Sequence, residues 1–200
     1  MKIVVLANNE GFEIIKKTNS QTNWIRVDNI SSFLLLHENA DAFFNLLEDA
    51  GSSHYPETEK PLFINSVLHT IGNKKMVRIN GWNGFLENKN WEVAGNIKAR
   101  AKEVLLHLNK TIIQTADEPG FISARIIAMI INEAYYAKGE SVSTEAAIDT
   151  AMKLGTNYPY GPFEWAQKIG VNNIYQLLAK LSLQDNRYQP APLLKQSILF

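Results

Sequence analysis

The side chains that could do chemistry in this 200-residue chain are few. It has four histidines and no cysteine, so thiolate nucleophiles, thiolate metal sites and disulfides are excluded. The histidines show no two-histidine metal spacing, and no set of three ligands accompanies them, so the sequence predicts no metal site. No partner can be identified for His37, His54 or His107. His69, in a loop after a predicted strand, is the remaining candidate base, although such a histidine is more often structural.

Charge and hydropathy narrow the class of protein further. Twenty basic residues balance twenty acidic ones, which argues against a large nucleic-acid or anionic-membrane surface. The opening apolar run of five residues is too short for a signal peptide, and no run is long enough to span a bilayer. We therefore expect a cytoplasmic globular protein with neither a nucleic-acid nor a membrane partner.

The first part of the chain has the pattern of mixed α/β structure. The run Lys2–Leu6 is continuously apolar, which is typical of a strand covered on both faces. Further strands are predicted at 24–28, 33–36, 62–67, 75–80 and 111–115. Helices are predicted at 42–48 and 94–108, and loops at 51–61 and 81–91.

The second part of the chain has a helical pattern. A long helix that is apolar almost all round is predicted at 121–138, with Gly139 as its stop. Ser143 is the predicted cap of the next helix, which has Glu145 in its first turn and ends at Gly155. Later signals are Pro162 at the start of a helix, Gly170 at its end, and Asn172 as the cap of a helix through Leu183. The tail from Gln184 is predicted to be extended or docked.

A series of short motifs in the second part resembles the C-terminal domain of 3-hydroxyacyl-CoA dehydrogenases. The family pattern runs PGF, Arg, NEA, IDxAM, Gly, PxGPxE and IG. The chain carries Pro119-Gly120-Phe121, Arg125, Asn132-Glu133-Ala134, Ile148-Asp149, Ala151-Met152, Gly155, Pro159, Gly161-Pro162 and Ile169-Gly170. Most of these residues are turn and cap residues, so the resemblance is chiefly a fold signature.

The resemblance implies a fold and a reaction. The fold is α/β plus all-α, with a reduced Rossmann-like domain at 1–117 and a helical dehydrogenase C-terminal-type domain at 118–200. The family oxidises 3-hydroxyacyl-CoA with NAD, in fatty acid metabolism, and pairs its helical domains in a homodimer beside the acyl-CoA site. A histidine accepts the hydroxyl proton, and a glutamate orients that histidine.

The nucleotide-binding loop departs from the family pattern. A dinucleotide fold needs GxGxxG after its first strand, but the chain has Ala7, Asn9 and Phe12 where the three glycines would stand. Asn8 and Asn9 can still form the turn, whereas Glu10 would repel the phosphates. Asp28 has about the right spacing for a ribose-binding acid, although a turn residue is the more frequent reason for an aspartate there.

The proton-transfer residues also depart from the pattern. The family carries His-Phe-Phe-Asn-Pro and then a strand with Leu-Val-Glu-Val. With 76–79 taken as that strand, Ser66 stands for the histidine and Arg78 for the glutamate, with His69 as the only rescue base. Ala124 replaces the asparagine that precedes the family's arginine.

Three hypotheses follow from these departures. The favoured one is a catalytically degenerate family member that keeps a dimeric scaffold and an acyl-CoA cleft. The others are an active NAD-dependent oxidoreductase with altered site residues, and a structural dimer that binds protein. A small basic cluster comprises Lys74, Lys75 and Arg78. It is a candidate contact for a CoA phosphate, but we favour its interpretation as a solvated surface patch.

Overall fold

The chain forms two compact units, which are described separately. The computed structural model describes residues 1–35, 39–47, 55, 58–72 and 75–198. The first unit is Met1–Phe121 and the second is Ile122–Phe200. The sequence placed its boundary at 117/118. Three residues considered in the sequence lie outside the described residues: His37, His54 and Lys74.

The first unit is a seven-stranded sheet with helices. Its strands are β1 Lys2–Leu6, β2 Asn23–Val27, β3 Ala42–Asn45, β4 Leu62–Asn65, β5 Val77–Ile79, β6 Asn90–Gly95 and β7 Thr111–Gln114. Its helices are α1 Asn9–Lys16, α2 Ile30–Leu35 and α3 Ala99–His107.

The sheet is mostly parallel and has the order β2-β1-β3-β4-β5-β6-β7. Strands β1 to β5 pair in parallel, whereas β6 runs antiparallel to β5 and parallel to β7. This arrangement confirms the predicted Rossmann-like domain. Because parallel strands end at one edge, the residues that follow β1 to β5 share the carboxyl edge of the sheet.

Apolar side chains cover both faces of the sheet. One core joins Val5, Phe44 and Phe63 with Val104 and Leu105 of α3. The other joins Val4, Leu6, Phe43 and Ile64 with Phe33 of α2. Burial on both faces is the reason that the central strands have continuous apolar runs instead of alternating ones.

Two short apolar segments were assigned the wrong structure from the sequence. The segment at 42–48 was predicted as a helix, but Ala42–Asn45 is a fully buried strand in which Phe44 stacks on Phe63. The segment at 33–36 was predicted as a strand, but its described residues belong to helix α2. Asn29 starts that helix by accepting a hydrogen bond from the Ser32 amide at 2.8 Å.

Two elements of the first unit were not predicted at all. Helix α1 follows β1 directly, and strand β6 occupies Asn90–Gly95. The helix predicted at 94–108 was therefore wrong at its start, because α3 begins only at Ala99. Gly95, with φ of +95°, ends the strand in a conformation that favours glycine.

The second unit is entirely helical in its described part. Its helices are α4 Ser123–Gly139, α5 Glu145–Thr156, α6 Pro162–Ile169, α7 Val171–Ser182 and α8 Pro192–Gln196, with a 3₁₀ turn at Asn186–Tyr188. This confirms the predicted helical domain, with Pro162 at the start of α6 and Gly170 at its end.

Some helix ends differ from their predicted positions. Thr144, not Ser143, caps α5, and its hydroxyl accepts from the Ala147 amide at 3.3 Å. Helix α5 continues past Gly155 and ends before Asn157, which has the left-handed conformation that asparagine tolerates. Helix α7 begins at Val171, one residue before the predicted cap.

The tail is docked on the helices of its own unit. The amide nitrogen of Asn132 donates to the Gln189 carbonyl at 2.9 Å. The side-chain oxygen of Asn132 accepts from the Ala191 amide at 2.8 Å. Asn132 belongs to the NEA motif and is buried on α4. The motif asparagine therefore fixes the tail, which is a structural role.

Candidate functional site at the carboxyl edge of the sheet

The loop after β1 is closed by its own side chains. Asn8 caps α1, because its side-chain oxygen accepts from the Gly11 amide at 2.8 Å. A Cβ at Gly11 would lie 3.2 Å from that oxygen, so the fit is tight. Glu10 lies in the first turn of the helix. The helix end that holds pyrophosphate in dinucleotide folds thus already holds an amide oxygen, and Glu10 adds a negative charge to the same turn.

Arg26 of β2 ties the same loop to the next strand. Its Nε donates to the Ala7 carbonyl at 3.1 Å, and its Nη2 lies 2.5 Å from the Asp28 carboxylate. A further bond joins its Nη1 to the Asn9 side chain. Asp28 and Asn9, two of the predicted cofactor-binding residues, are therefore brought together by an arginine.

These residues do not fit a dinucleotide in the usual arrangement. The Gly11 amide is occupied by Asn8, and Glu10 adds negative charge where two phosphates would lie. The carboxylate of Asp28, the predicted ribose ligand, is engaged by Arg26.

Ser66 is buried directly after β4, at the same edge. Its hydroxyl donates to the backbone carbonyl of His69 at 2.8 Å. The side chain of His69 is exposed, whereas Ser66 is fully buried. The structure thus brings these two predicted residues together, but the bond runs to the backbone of His69 and not to its imidazole.

Arg78 is a buried structural residue of β5. It is fully inaccessible, and its Nη1 lies 2.5 Å from the Asp117 carboxylate. Its Nε donates to the Ser66 carbonyl at 2.8 Å, and its Nη2 donates to the Glu118 carbonyl at 3.2 Å. The guanidinium also lies 4.6 Å from the centre of the Phe121 ring.

The buried position of Arg78 separates it from the predicted basic cluster. Lys75 has half of its side chain exposed and pairs with Glu59 at 2.9 Å, whereas Arg78 reaches no solvent. Arg78 therefore cannot meet a phosphate together with Lys75, and the predicted joint cluster of the two is wrong.

A second polar pair lies at the carboxyl edge and was missed from the sequence. Asn80 follows β5, and Glu92 lies on the neighbouring antiparallel strand β6. Both side chains are buried, and the amide nitrogen of Asn80 lies 3.4 Å from the Glu92 carboxylate. The amide oxygen of Asn80 faces the Trp82 backbone amide at 3.4 Å.

The backbone beside this pair is held tightly. The Gly81 amide donates to the Asn65 side-chain oxygen at 3.0 Å. A Cβ at position 81 would lie 2.7 Å from the Asn65 side chain, so a larger residue does not fit without movement. Two asparagines and a glycine therefore fix the turn that places Asn80 against Glu92.

The signal for Glu92 was present in the sequence. Asn90-Trp91-Glu92-Val93 has the alternation of a strand, but the segment was read as a loop followed by a helix. It also has Glu and Val in the third and fourth places of the Leu-Val-Glu-Val pattern. Asn80-Gly81-Trp82-Asn83-Gly84 likewise has asparagine in the fourth place of His-Phe-Phe-Asn-Pro.

The second unit contributes a different kind of site residue. Ala124 lies fully buried in the first turn of α4 and offers no polar group. Asp149 of α5 is buried and accepts from the Phe163 and Glu164 amides at 2.8 and 3.2 Å. Because Gly161 has no side chain to cap α6, Asp149 supplies the cap from another helix.

This contact explains why the IDxAM and PxGPxE motifs occur together. A Cβ at Gly161 would overlap the Asp149 side chain. The Gly161 amide donates to the Glu164 carboxylate at 2.9 Å, and Lys153 pairs with the same carboxylate. These two contacts lower the pKa of Glu164, the bond from Lys153 more strongly than the bond from Gly161.

Comparison with known proteins shows what the second unit is similar to. Residues 120–199 match the model of the 3-hydroxyacyl-CoA dehydrogenase C-terminal domain. The similarity to that family thus covers the helical part of the chain. A 92-residue segment is 48% identical to 3-hydroxyadipyl-CoA dehydrogenase of Escherichia coli K12, covering 45% of this chain and 19% of that relative. A 109-residue segment is 38% identical to a probable 3-hydroxybutyryl-CoA dehydrogenase of Bacillus subtilis, covering 54% and 37%.

A match in fold extends over both units. The crystal structure of M. tuberculosis FadB2 aligns over 99% of this chain and 93% of its own, with a TM-score of 0.76 and 12% identity. At that identity the match shows the fold alone. The segments matched in the two curated relatives span well under two thirds of those proteins.

The described residues also hold no metal-ligand cluster. None of their groups of histidine, aspartate and glutamate could hold a metal ion. The helices of the same described ranges include none that is long and apolar enough to cross a membrane.

Proposed function

We propose that this chain is a catalytically degenerate 3-hydroxyacyl-CoA dehydrogenase. In this proposal it keeps the two-unit scaffold and binds an acyl-CoA thioester, but it lacks the base and the cofactor loop that hydride transfer needs. The single observation that carries the proposal is the buried Asn80–Glu92 pair at the carboxyl edge.

Asn80 is proposed to stand where the family histidine stands, with Glu92 as the retained glutamate. The motif letters support this correspondence, and so does the contact between the two side chains. The earlier assignment to Ser66 and Arg78 remains an alternative prediction. In either assignment the proton acceptor is replaced by a group that is not basic near neutral pH.

The chemistry of an amide explains the expected loss of activity. An asparagine side chain can donate and accept hydrogen bonds, but it does not take up a proton near neutral pH. The loss of a positioned general base typically costs ~10²–10⁴ in rate. Glu92 still accepts a hydrogen bond from the side chain of Asn80. That side chain is an amide, so Glu92 has no imidazole to orient.

The cofactor loop adds a second, independent loss. Asn8 occupies the helix end that pyrophosphate would need, Glu10 adds negative charge to the same turn, and Arg26 engages Asp28. We therefore expect NADH binding to be weak or absent. Acyl-CoA is the proposed remaining ligand because the relatives are named as dehydrogenases of 3-hydroxyadipyl-CoA and 3-hydroxybutyryl-CoA.

The test is NADH oxidation with acetoacetyl-CoA by the purified protein, beside separate titrations of NADH and acetoacetyl-CoA. We expect no turnover above the blank at high protein concentration, weak NADH binding and measurable thioester binding. Turnover at an ordinary enzyme rate would instead support an active oxidoreductase with altered residues. Binding of neither ligand would favour a structural dimer.

The Asn80→His variant tests the proposed correspondence directly. It returns an imidazole beside Glu92, so turnover at high NADH concentration should exceed that of the wild type. Asn83→His is the matched control, since it adds the same group three residues further along the loop. A gain in both variants, or in neither when NADH is shown to bind, would contradict the assignment of Asn80.

A further inference from the structure

A small cationic cavity lies at the edge of the sheet opposite the candidate site. Leu62 and Val77 line it at the start of β4 and β5, and Asn96 lines it just after β6. We call it the amino-edge cavity, and its charged lining residues are Glu59, Lys60, Lys75, Lys98 and Arg100. Neither the proposed reaction nor the family motifs use it.

Cations outnumber carboxylates among the described residues that line the cavity. Among the described residues that line it, four are cationic and Glu59 is the carboxylate. Lys75 and Lys98 share that carboxylate, at 2.9 and 3.4 Å from its two oxygens. Hydrogen bonding to Lys75, and then the charges of Lys75 and Lys98, lower the pKa of Glu59, so it stays ionised.

The shared carboxylate can be displaced. The side chain of Glu59 is 75% exposed, so few contacts fix it besides the two lysines. Arg100, on the same rim, pairs with Asp41 at 3.3 Å and Glu103 at 2.9 Å. A more highly charged anion would therefore gain from Lys75 and Lys98 more than the single carboxylate does.

The size of the cavity restricts the ligand. Its volume is about 40 Å³, which corresponds to a few water-sized groups. This volume fits one tetrahedral oxyanion, so the remainder of any larger ligand would lie outside the cavity. Helix α3 begins on the same rim, where Lys98 as the N-cap makes no side-chain capping bond. The positive end of the helix adds to the field of the cations.

We propose that the amino-edge cavity binds a phosphate group, which replaces Glu59 as the partner of Lys75 and Lys98. The ligand is either free phosphate or the exposed phosphoryl group of a larger molecule whose remainder stays outside. This inference does not depend on the proposed loss of dehydrogenase activity.

The experiment is a calorimetric titration of the full chain with inorganic phosphate, at an ionic strength held constant with chloride. We expect saturable binding to the wild type and a roughly fivefold weaker affinity in Lys75→Gln/Lys98→Gln. Both lysine side chains are more than half exposed, so the fold should persist. The matched control Lys16→Gln/Lys17→Gln removes the same charge from α1 and should bind like the wild type.

A third variant separates a defined site from general charge attraction. Glu59→Gln removes the competing carboxylate, so phosphate should bind several times more tightly. The proposal is overturned if phosphate shows no saturable binding, or if both double variants weaken it equally. Tighter binding of adenosine 3′,5′-bisphosphate, with the same dependence on Lys75 and Lys98, identifies a phosphoryl group of a larger ligand. Equal affinity identifies free phosphate.

Discussion

Arg78 shows how far the role of a residue depends on partners that are remote in the chain. From its sequence position, Arg78 was predicted to replace the family's glutamate. In the structure it pairs with the carboxylate of Asp117, 39 residues later in the chain. Asp117 also accepts from the backbone amides of Ile71 and Gly72, at 3.1 and 2.8 Å. The pair therefore ties β5 to the loop after β4 and to the end of the first unit.

Removal of Arg78 should destabilise the first unit strongly. Arg78→Met leaves the Asp117 carboxylate and several carbonyls without their donor, and breaking a buried ion pair typically costs about 3–5 kcal/mol. Urea unfolding measures the change. Arg100→Met is the control, because that arginine is half exposed and its pairs should contribute less than about 1 kcal/mol. Similar losses in the two variants would show that the buried network contributes little.

The contact of Asp149 with Gly161 predicts a coupling between two motif residues. Asp149→Ala removes the cap of α6, at a cost of about 0.5–2 kcal/mol. Gly161→Ala forces a methyl group into the Asp149 side chain, and such overpacking costs about 1–3 kcal/mol. In the double variant the methyl group has room, so Gly161→Ala should cost less there than in the wild type. Unfolding free energies of all four proteins measure this, and strict additivity would contradict the contact.

At the scale of elements, long or strongly patterned segments were predictable and short ones were not. The apolar run of β1 and the caps and stops of α4 to α7 identified those elements to within a few residues. The short run at 42–45 could not be distinguished from a helix by its periodicity, because a strand buried on both faces does not alternate. Its parallel pairing with β1 and β4 decides the structure.

The missed strand β6 also limited what could be predicted of the site. Asn8 and Asp28 were singled out from the dinucleotide-binding pattern and Ser66 from its distance to the strand at 76–79, and all three do lie after strands. Glu92 was not singled out, since its segment was divided between a predicted loop and a predicted helix. The contact of Asn80 with Glu92 depends on antiparallel pairing of β5 with β6, which no local pattern specifies.

Lys110 connects β6, β7 and the preceding turn, and it predicts a pH dependence. Its Nζ donates to the Leu86 and Asn88 carbonyls at 2.9 and 2.8 Å and lies 4.6 Å from the centre of the Trp91 ring. Burial lowers the pKa of Lys110 from its ordinary 10.5 to about 8. Between these two values the unfolded chain binds more protons than the folded one, so stability rises with pH.

The comparison with Lys110→Met isolates this effect from the other titrating groups. From pH 8 to 10 the unfolding free energy of the wild type should rise relative to that of the variant, and well below pH 8 the difference should be flat. Guanidinium unfolding at several pH values measures it. A difference that does not change with pH would show that the ammonium keeps its ordinary pKa, held charged by the two carbonyls and Trp91.

At the scale of the whole molecule, helix α5 of the second unit leaves part of its apolar surface exposed. The sheet of the first unit has apolar cores on both faces. In the second unit, Asp149 is the one buried residue of α5, although that helix carries Ile148, Met152 and Leu154. Ile148 and Met152 are half-buried and Leu154 is 82% exposed, so part of the apolar face of α5 is accessible to a partner.

The proposed homodimer through the helical unit predicts different effects for two exposed leucines. Leu154 on α5 is 82% exposed and Leu106 on α3 is 75% exposed. If α5 packs against a second copy of the chain, Leu154→Glu places a charge in an apolar interface and should shift the protein from dimer to monomer. Leu106→Glu makes the same chemical change on the first unit and should leave the dimer intact. Light scattering after size-exclusion chromatography measures both masses. A wild type that is monomeric at micromolar concentration would show that this dimer does not exist. A dimer that survives Leu154→Glu would place the interface away from α5.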